Sequence, residues 1–160
     1  FWLTFPEELV RAQPFARAVV IDAIRGIGNA LHTVSSAGLM IDPRDLGQTI
    51  GSRDDEGGPP GKTESGAVFD PTIFLFDHAA GGIGLAPRLF EERDALLRRA
   101  RRLIDVCMCT DGCPACIGPD VGIPPLERMA GVVAEPLAQE VPRKRLALEL
   151  LASAGVLAEQ

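Results

Sequence analysis

"DVCMCTDGCPACIGP", Asp105 to Pro119, holds all four cysteines of a 160-residue chain. Cys107, Cys109, Cys113 and Cys116 follow the spacing C-x-C-x3-C-x2-C. Three chemistries compete for thiols packed this tightly. Disulfides between such close neighbours would close small strained rings, and nothing else in the chain suggests secretion. The "CPAC" at Cys113 to Cys116 has the form of a redox pair, but it does not sit at the strand-to-helix junction where that motif works. Metal is favoured, because four thiolates on one short loop can surround an ion tetrahedrally and leave no place for water. Such a centre is structural and not catalytic. Gly112 and Pro114 flank the third cysteine and let the loop turn its backbone N–H groups toward sulfur. One structural Zn2+ is preferred, with a mononuclear iron or iron–sulfur site as the rival.

Upstream of the loop, the spacing predicts one long helix from about Leu85 to Val106. Leu89, Phe90, Leu96, Leu97, Ala100, Leu103 and Ile104 fall on a single wide apolar face, with Arg88, Arg98, Arg99 and Arg102 opposite. The arginines make either a solvated basic face or a ridge that contacts phosphate. Arg93 falls inside the apolar face. It is expected to snorkel outward or to pair with a carboxylate of another segment. Before this helix, "AVFDPTIFLFD" (Ala67 to Asp77) is the best strand candidate, and residues 1–5 read as a short strand. A helical pattern runs from about Pro14 to Ala37, with Phe15, Val19, Ala23, Ile27, Leu31 and Val34 on one face. "DPRDLG" (Asp42 to Gly47) reads as a turn. Residues 52–66 are polar and rich in Gly and Pro, and are expected to form a mobile loop. The stretch from Gly118 to Gly131 looks irregular, and residues 143–153 make a last amphipathic helix. The sum is an α+β fold: several helices packed on a small sheet, with the four-cysteine loop after the long central helix.

Length and charge narrow the function. The chain is the size of one ordinary domain. Its formal net charge of −6 gives no general attraction to nucleic acid or to an acidic membrane surface. No apolar run approaches the 18 residues of a membrane span, and no secretory signal opens the chain, so a cytoplasmic protein with no membrane partner is expected. The chain begins "FWLTFPEEL", without Met, as if cut from a longer protein.

Two glycine-rich stretches imitate nucleotide sites. In "GPPGKT" (Gly58 to Thr63) the position that should hold the first glycine of a P-loop holds Glu56, and no strand leads into it. "GGIGLAP" (Gly81 to Pro87) lies between a strand and a helix, yet Pro87 stands where a dinucleotide fingerprint needs its third glycine. It reads as a flexible turn, at which a helix N-terminus could still receive a phosphate. His32 and His78 could serve a metal, although four thiolates suffice without them. They are expected to be packed or exposed side chains with no catalytic part, and no nucleophile–base–acid set can be assembled.

Taken together, Phe74 to Pro119 closely resembles the C-terminal zinc-binding domain of MrfA-like DNA repair helicases, superfamily-2 ATPases related to the Hrq-type RecQ-like enzymes. The matching parts are the Asp followed by Gly-Gly-x-Gly-Leu-Ala, the helix after it, and the four cysteines. The similarity extends through Ala30 to Gly47, with its His-bearing helix and Asp-Pro-Arg-Asp turn, and more loosely to residues 1–9. One departure is Phe76, where the family usually carries Tyr before the Asp, so a hydroxyl contact is missing. The resemblance implies that Cys107, Cys109, Cys113 and Cys116 bind zinc in a single accessory domain spanning residues 1–160. It implies a parent that is an ATP-driven 3′-to-5′ translocase on single-stranded DNA, acting in repair, with its motor domains in the same chain. This stretch has no Walker motif, so it is not expected to hydrolyse ATP. Arg44, Arg88, Arg98 and Arg102 are the positions to examine for DNA contact. The alternatives are a helper or scaffold protein carrying this domain beside a separate helicase, and an iron–thiolate electron-transfer module.

Overall fold

The computed structural model describes residues 1–52, 70–79, 81–118 and 143–155. It is an α+β fold organised around one helix. Strand β1 (Trp2–Thr4) is followed by a short helix α1 (Glu7–Arg11) and the 23-residue helix α2 (Arg17–Leu39). Strands β2 (Leu46–Ser52) and β3 (Pro71–Asp77) come next. Helices α3 (Leu85–Glu91), α4 (Arg93–Val106) and α5 (Arg143–Ser153) complete the described elements. The strands form one antiparallel sheet in the order β1-β3-β2.

β3 takes the centre because "TIFLF" offers apolar side chains in succession. Its register places Ile73 opposite Leu3 and Ile50, and Phe74 opposite Trp2 and Thr49. Since side chains alternate across a strand, Ile73 and Leu75 point into the core and are buried, while Trp2 and Phe76 sit on the other face and are exposed. α2 covers the inner face. Ile24, Ile27 and Leu31 of α2 meet Ile73 and Leu75 of β3, Leu96, Ala100 and Ile104 of α4, and Leu146 and Leu150 of α5 in one core. Each of the leucines and isoleucines contributes about 1.5–3 kcal/mol on burial.

Several boundaries differ from the sequence reading. The first long helix starts at Arg17 and not at Pro14, and runs to Leu39 with Met40 as a left-handed cap. α1 is a separate short helix that the periodicity did not mark. The expected turn at Asp42 to Gly47 closes earlier, with Asp45 N–H donating to the Asp42 carbonyl at 2.9 Å and Arg44 N–H to Asp42 Oδ1 at 2.9 Å. Leu46 and Gly47 already belong to β2, a strand the reading lacked. Ser52, placed in the mobile loop, ends that strand, and the rest of that loop lies outside the described residues together with "GPPGKT". The strand candidate at Ala67 is a strand from Pro71 onward, and Asp70 is not in it. Residues of the irregular stretch beyond Gly118 also fall outside the described residues.

The single long helix is two, parted at Glu92, whose φ of −93° and ψ of 5° leave the helical range. The break explains the misfits of the helical wheel. Phe90 turns outward and is 60% exposed. The Arg93 guanidinium stacks 4.7 Å from the Phe90 ring centroid and donates to the Phe90 carbonyl at 3.0 Å. Its carboxylate neighbour is Asp94 at 3.6 Å, on the same helix and not on another segment.

Candidate metal centre

The four cysteines leave the end of α4 and return onto α2. Cys107 is the C-terminal cap of α4, in extended backbone, so the helix ends where the ligands begin. Cys113 to Cys116 form a tight turn in which Cys116 N–H and Gly118 N–H both donate to the Cys113 carbonyl at 3.0 Å. The four Sγ atoms come within 4.8 Å of one another. Cys107–Cys113, Cys109–Cys116 and Cys113–Cys116 are separated by 3.6, 3.5 and 3.7 Å. All four are free thiols, and these spacings are far beyond a sulfur–sulfur bond. They match a tetrahedron of thiolates instead: with metal–sulfur distances of roughly 2.3 Å its edges are about 3.8 Å. The donor set, with three of its six separations at the edge length of such a tetrahedron, fits a tetrahedral, thiolate-loving ion.

The crowded thiols are shifted in opposite directions. The Cys107 thiol is drawn down to about 7, first by the Cys109 backbone N–H aimed at its sulfur and then by the neighbouring thiols. Cys109 is pushed up to about 12, first by burial and then by the surrounding thiols. Backbone amides of Cys109, Gly112 and Cys113 face sulfurs, with Cys113 N–H at 3.4 Å from Cys116 Sγ. The turn around Gly112 and Pro114 thus does what its composition suggested. Four bare thiolates could not coexist in this space. A divalent cation bound there would supply the positive charge needed for all four to ionise.

What holds the loop was not visible in the sequence. Ile117, fully buried, presses on α2 at Gly26, where an added Cβ would stand 2.7 Å from Ile117 Cβ. Asn29 of α2 donates from Nδ2 to the Ile117 carbonyl at 3.1 Å. Gly118 has a φ of +78°, and a Cβ there would lie 2.2 Å from Asn29 Nδ2, so this position requires glycine. From the other side, Asp111 Oδ1 accepts the Arg143 backbone N–H at 2.9 Å and caps α5. The Arg143 guanidinium pairs with Asp22 of α2, and both are buried. Lys144 Nζ donates to the carbonyls of Cys107 and, at 3.2 Å, Cys109. The usable signal was "RGIGN" (Arg25 to Asn29), since glycines inside a helical pattern mark close approach.

The other singled-out residues lie elsewhere. His32 Nε2 is 2.8 Å from the Leu46 carbonyl and 3.1 Å from that of Pro43, so it donates a hydrogen bond that ties α2 to the start of β2. His78 packs edge-on against Phe76, at 5.3 Å between ring centroids. Neither is in the four-residue metal group. Arg88 on α3 and Arg98, Arg99 and Arg102 on α4 are exposed, whereas Arg44 is exposed on the separate turn before β2. Asp77 flanks the glycine turn, with Oδ2 3.1 Å from where a Gly82 Cβ would stand. Among the described residues, no helix is long and apolar enough to cross a membrane.

Comparison with known proteins identifies this arrangement. Residues 27–117 match the family model of the MrfA Zn-binding domain. A 60-residue stretch is 50% identical to the protein named "Uncharacterized ATP-dependent helicase YprA" of Bacillus subtilis (strain 168), over 37% of this chain and 8% of that one. A 45-residue stretch is 44% identical to "Uncharacterized protein MJ1572.1" of Methanocaldococcus jannaschii, over 28% of this chain and 40% of that one. The fold superposes on a crystal structure of the DUF1998 helicase MrfA bound to DNA with a TM-score of 0.62 and 26% identity, over 89% of this chain and 15% of that one. The chain therefore spans only a small part of the helicases it resembles. With the family model covering residues 27–117, more than half of the chain and all four clustered cysteines, the chain belongs to the MrfA Zn-binding domain family.

Proposed function

We propose that Cys107, Cys109, Cys113 and Cys116 hold one structural Zn2+ in an accessory domain of an ATP-dependent DNA helicase. The observation that carries this is the thiol cluster itself: sulfur separations of 3.5–3.7 Å on a loop already seated on α2. Four thiolates complete the shell, so the ion supplies folding energy and no open position for chemistry. In this reading residues 1–160 form one domain. The parent polypeptide translocates 3′ to 5′ on single-stranded DNA through motor domains outside this stretch, and the domain alone does not hydrolyse ATP. The likeness to one helicase sequence and to a DNA-bound helicase structure supports it.

Metal analysis of the purified chain tests the centre. The expected result is one zinc per chain and no visible absorption; iron with thiolate charge-transfer bands, or no metal, overturns the reading. Arg44, Arg88, Arg98 and Arg102 are the proposed phosphate contacts of the parent enzyme. With a net charge of −6, the isolated domain is expected to bind single-stranded DNA feebly. Tight, salt-sensitive binding in a fluorescence-anisotropy titration would refute that.

A second reading has one observation in its favour. The 45 matched residues are already 40% of the archaeal relative, so that protein is too short to hold this domain and a helicase motor. A helper acting beside a separate helicase would then be the role. The full-length polypeptide decides: DNA-stimulated ATPase activity in one chain supports the first reading, and its absence from that chain the second.

A further inference from the structure

We infer that Lys144 is a positioning residue for the metal loop, one that raises zinc affinity and fastens α5 to the centre. The inference rests on the zinc reading above. Lys144 is on the first turn of α5, far along the chain from the cysteines, yet its ammonium donates to the carbonyls of two of them, Cys107 and Cys109. Arg101 of α4 donates to the Leu148 carbonyl in the middle of α5 at 3.0 Å; three further groups hold the start of that helix, and they differ in kind. Asp111 caps the helix, and Arg143 is engaged by Asp22 of α2. Lys144 alone of the three brings a positive charge onto the ligand-bearing backbone itself.

That charge has a use. Four thiolates around a divalent ion leave two surplus negative charges in a half-buried loop, where they are costly unless balanced. An ammonium held on the Cys107 and Cys109 carbonyls offsets that surplus and fixes the two amides whose neighbours face sulfur. It favours the four-thiolate, metal-bound loop over the neutral thiol loop. The coupling is reciprocal: whatever Lys144 adds to zinc affinity, zinc adds to the docking of α5. Groups that support metal ligands in this way typically change affinity 10–100-fold when removed.

The test is a Zn2+ titration in competition with a chromophoric chelator, on the whole chain, with zinc-saturated circular dichroism as a check of folding. Lys144→Met keeps the apolar stem and removes the charge; it is expected to weaken zinc binding 10–100-fold. Lys144→Arg, which keeps the charge, is expected to recover most of that loss. Arg145→Met removes the same charge from the neighbouring position, where the side chain is exposed and paired with Glu149. It is expected to change affinity less than about twofold, as ordinary surface substitutions do. In zinc-saturated protein, hydrogen exchange of the α5 amides is expected to quicken in Lys144→Met and not in Arg145→Met. Affinity within twofold of the parent chain for Lys144→Met, or an equal loss in Arg145→Met, would overturn the assignment while leaving the zinc centre in place. A parent chain that binds no zinc would overturn both.

Discussion

The two sides of α2 are fastened by different physics. On one side the helix meets the sheet. Gly28 lies beside Gln48 and Ile73, and the contact is apolar burial backed by a two-ladder strand network. On the other side Gly26 meets Ile117, and what arrives is a short loop with few apolar residues of its own. The sheet side resembles any domain core, in which many weak terms add up. The loop side concentrates its contacts in a few groups: four clustered cysteines that could hold a metal, one buried isoleucine, one amide hydrogen bond and the Asp22–Arg143 ion pair. The loop side should therefore fail first and abruptly, and the sheet side late and gradually.

Metal removal is the harshest test of that contrast. Zinc in small thiolate sites contributes about 10–16 kcal/mol of folding energy. A strong chelator, or Cys116→Ser, is expected to abolish hydrogen-exchange protection over residues 107–118 and α5 while β3 and the middle of α2 stay protected. Uniform loss of protection across the sheet would show that the two sides are a single cooperative unit. A smaller effect compares two buried isoleucines. Ile117→Ala and Ile73→Ala should each cost about 2–5 kcal/mol by denaturant titration, but only Ile117→Ala should also weaken zinc binding. Equal effects on the metal would erase the distinction.

Single hydrogen bonds come next. Asn29→Ala leaves the buried Ile117 carbonyl without its donor and should cost about 1–3 kcal/mol, with faster exchange in the loop. His32→Ala removes the donor to Leu46 and should cost about 1 kcal/mol, felt at the start of β2 and not at the loop. The smallest effect is electrostatic. The buried Glu7 carboxylate is held below its ordinary 4.5, first by the Arg17 hydrogen bond. A carboxylate whose folded value is lowered stabilises the fold above its ordinary value and loses that contribution as pH falls. Acid titration of stability should therefore slope downward below pH 4.5 in the parent chain. Glu7→Gln should flatten that slope without changing metal content.

The same contrast explains what the sequence revealed. The ligands were readable because four thiols must reach one ion, and a short loop forces them into a recognisable spacing. α5 was readable to its limits, since its leucines and alanines repeat at helical steps. β2 was not, because "LGQTIGS" has neither continuous apolar character nor clean alternation, and owes its strand form to the hydrogen bonds of β3. The break at Glu92 left a trace only in the misfits on either side of it, the exposed Phe90 and the Arg93 inside the apolar face, because the apolar pattern resumes after one residue. The residues that seat the loop were the least legible. Asn29 reaches Ile117 across 88 positions, and Lys144 reaches Cys107 across 37. A polar side chain carries no mark of so distant a partner.

Those separations also set an order of events during synthesis. β1 cannot find its place until β3 has been made, since Thr4 meets Thr72 across 68 positions. α2 leaves the ribosome with no partner for Gly26 or Gly28, and waits for the sheet before it waits for the cysteines. Long-range closures of this kind slow folding, and among the described elements the return of α5 to the loop can come only after the cysteines are made. The nascent chain thus passes through an interval in which the ligands are complete and their cover is not. In that interval the four thiols are made and still open on the side that α5 later covers.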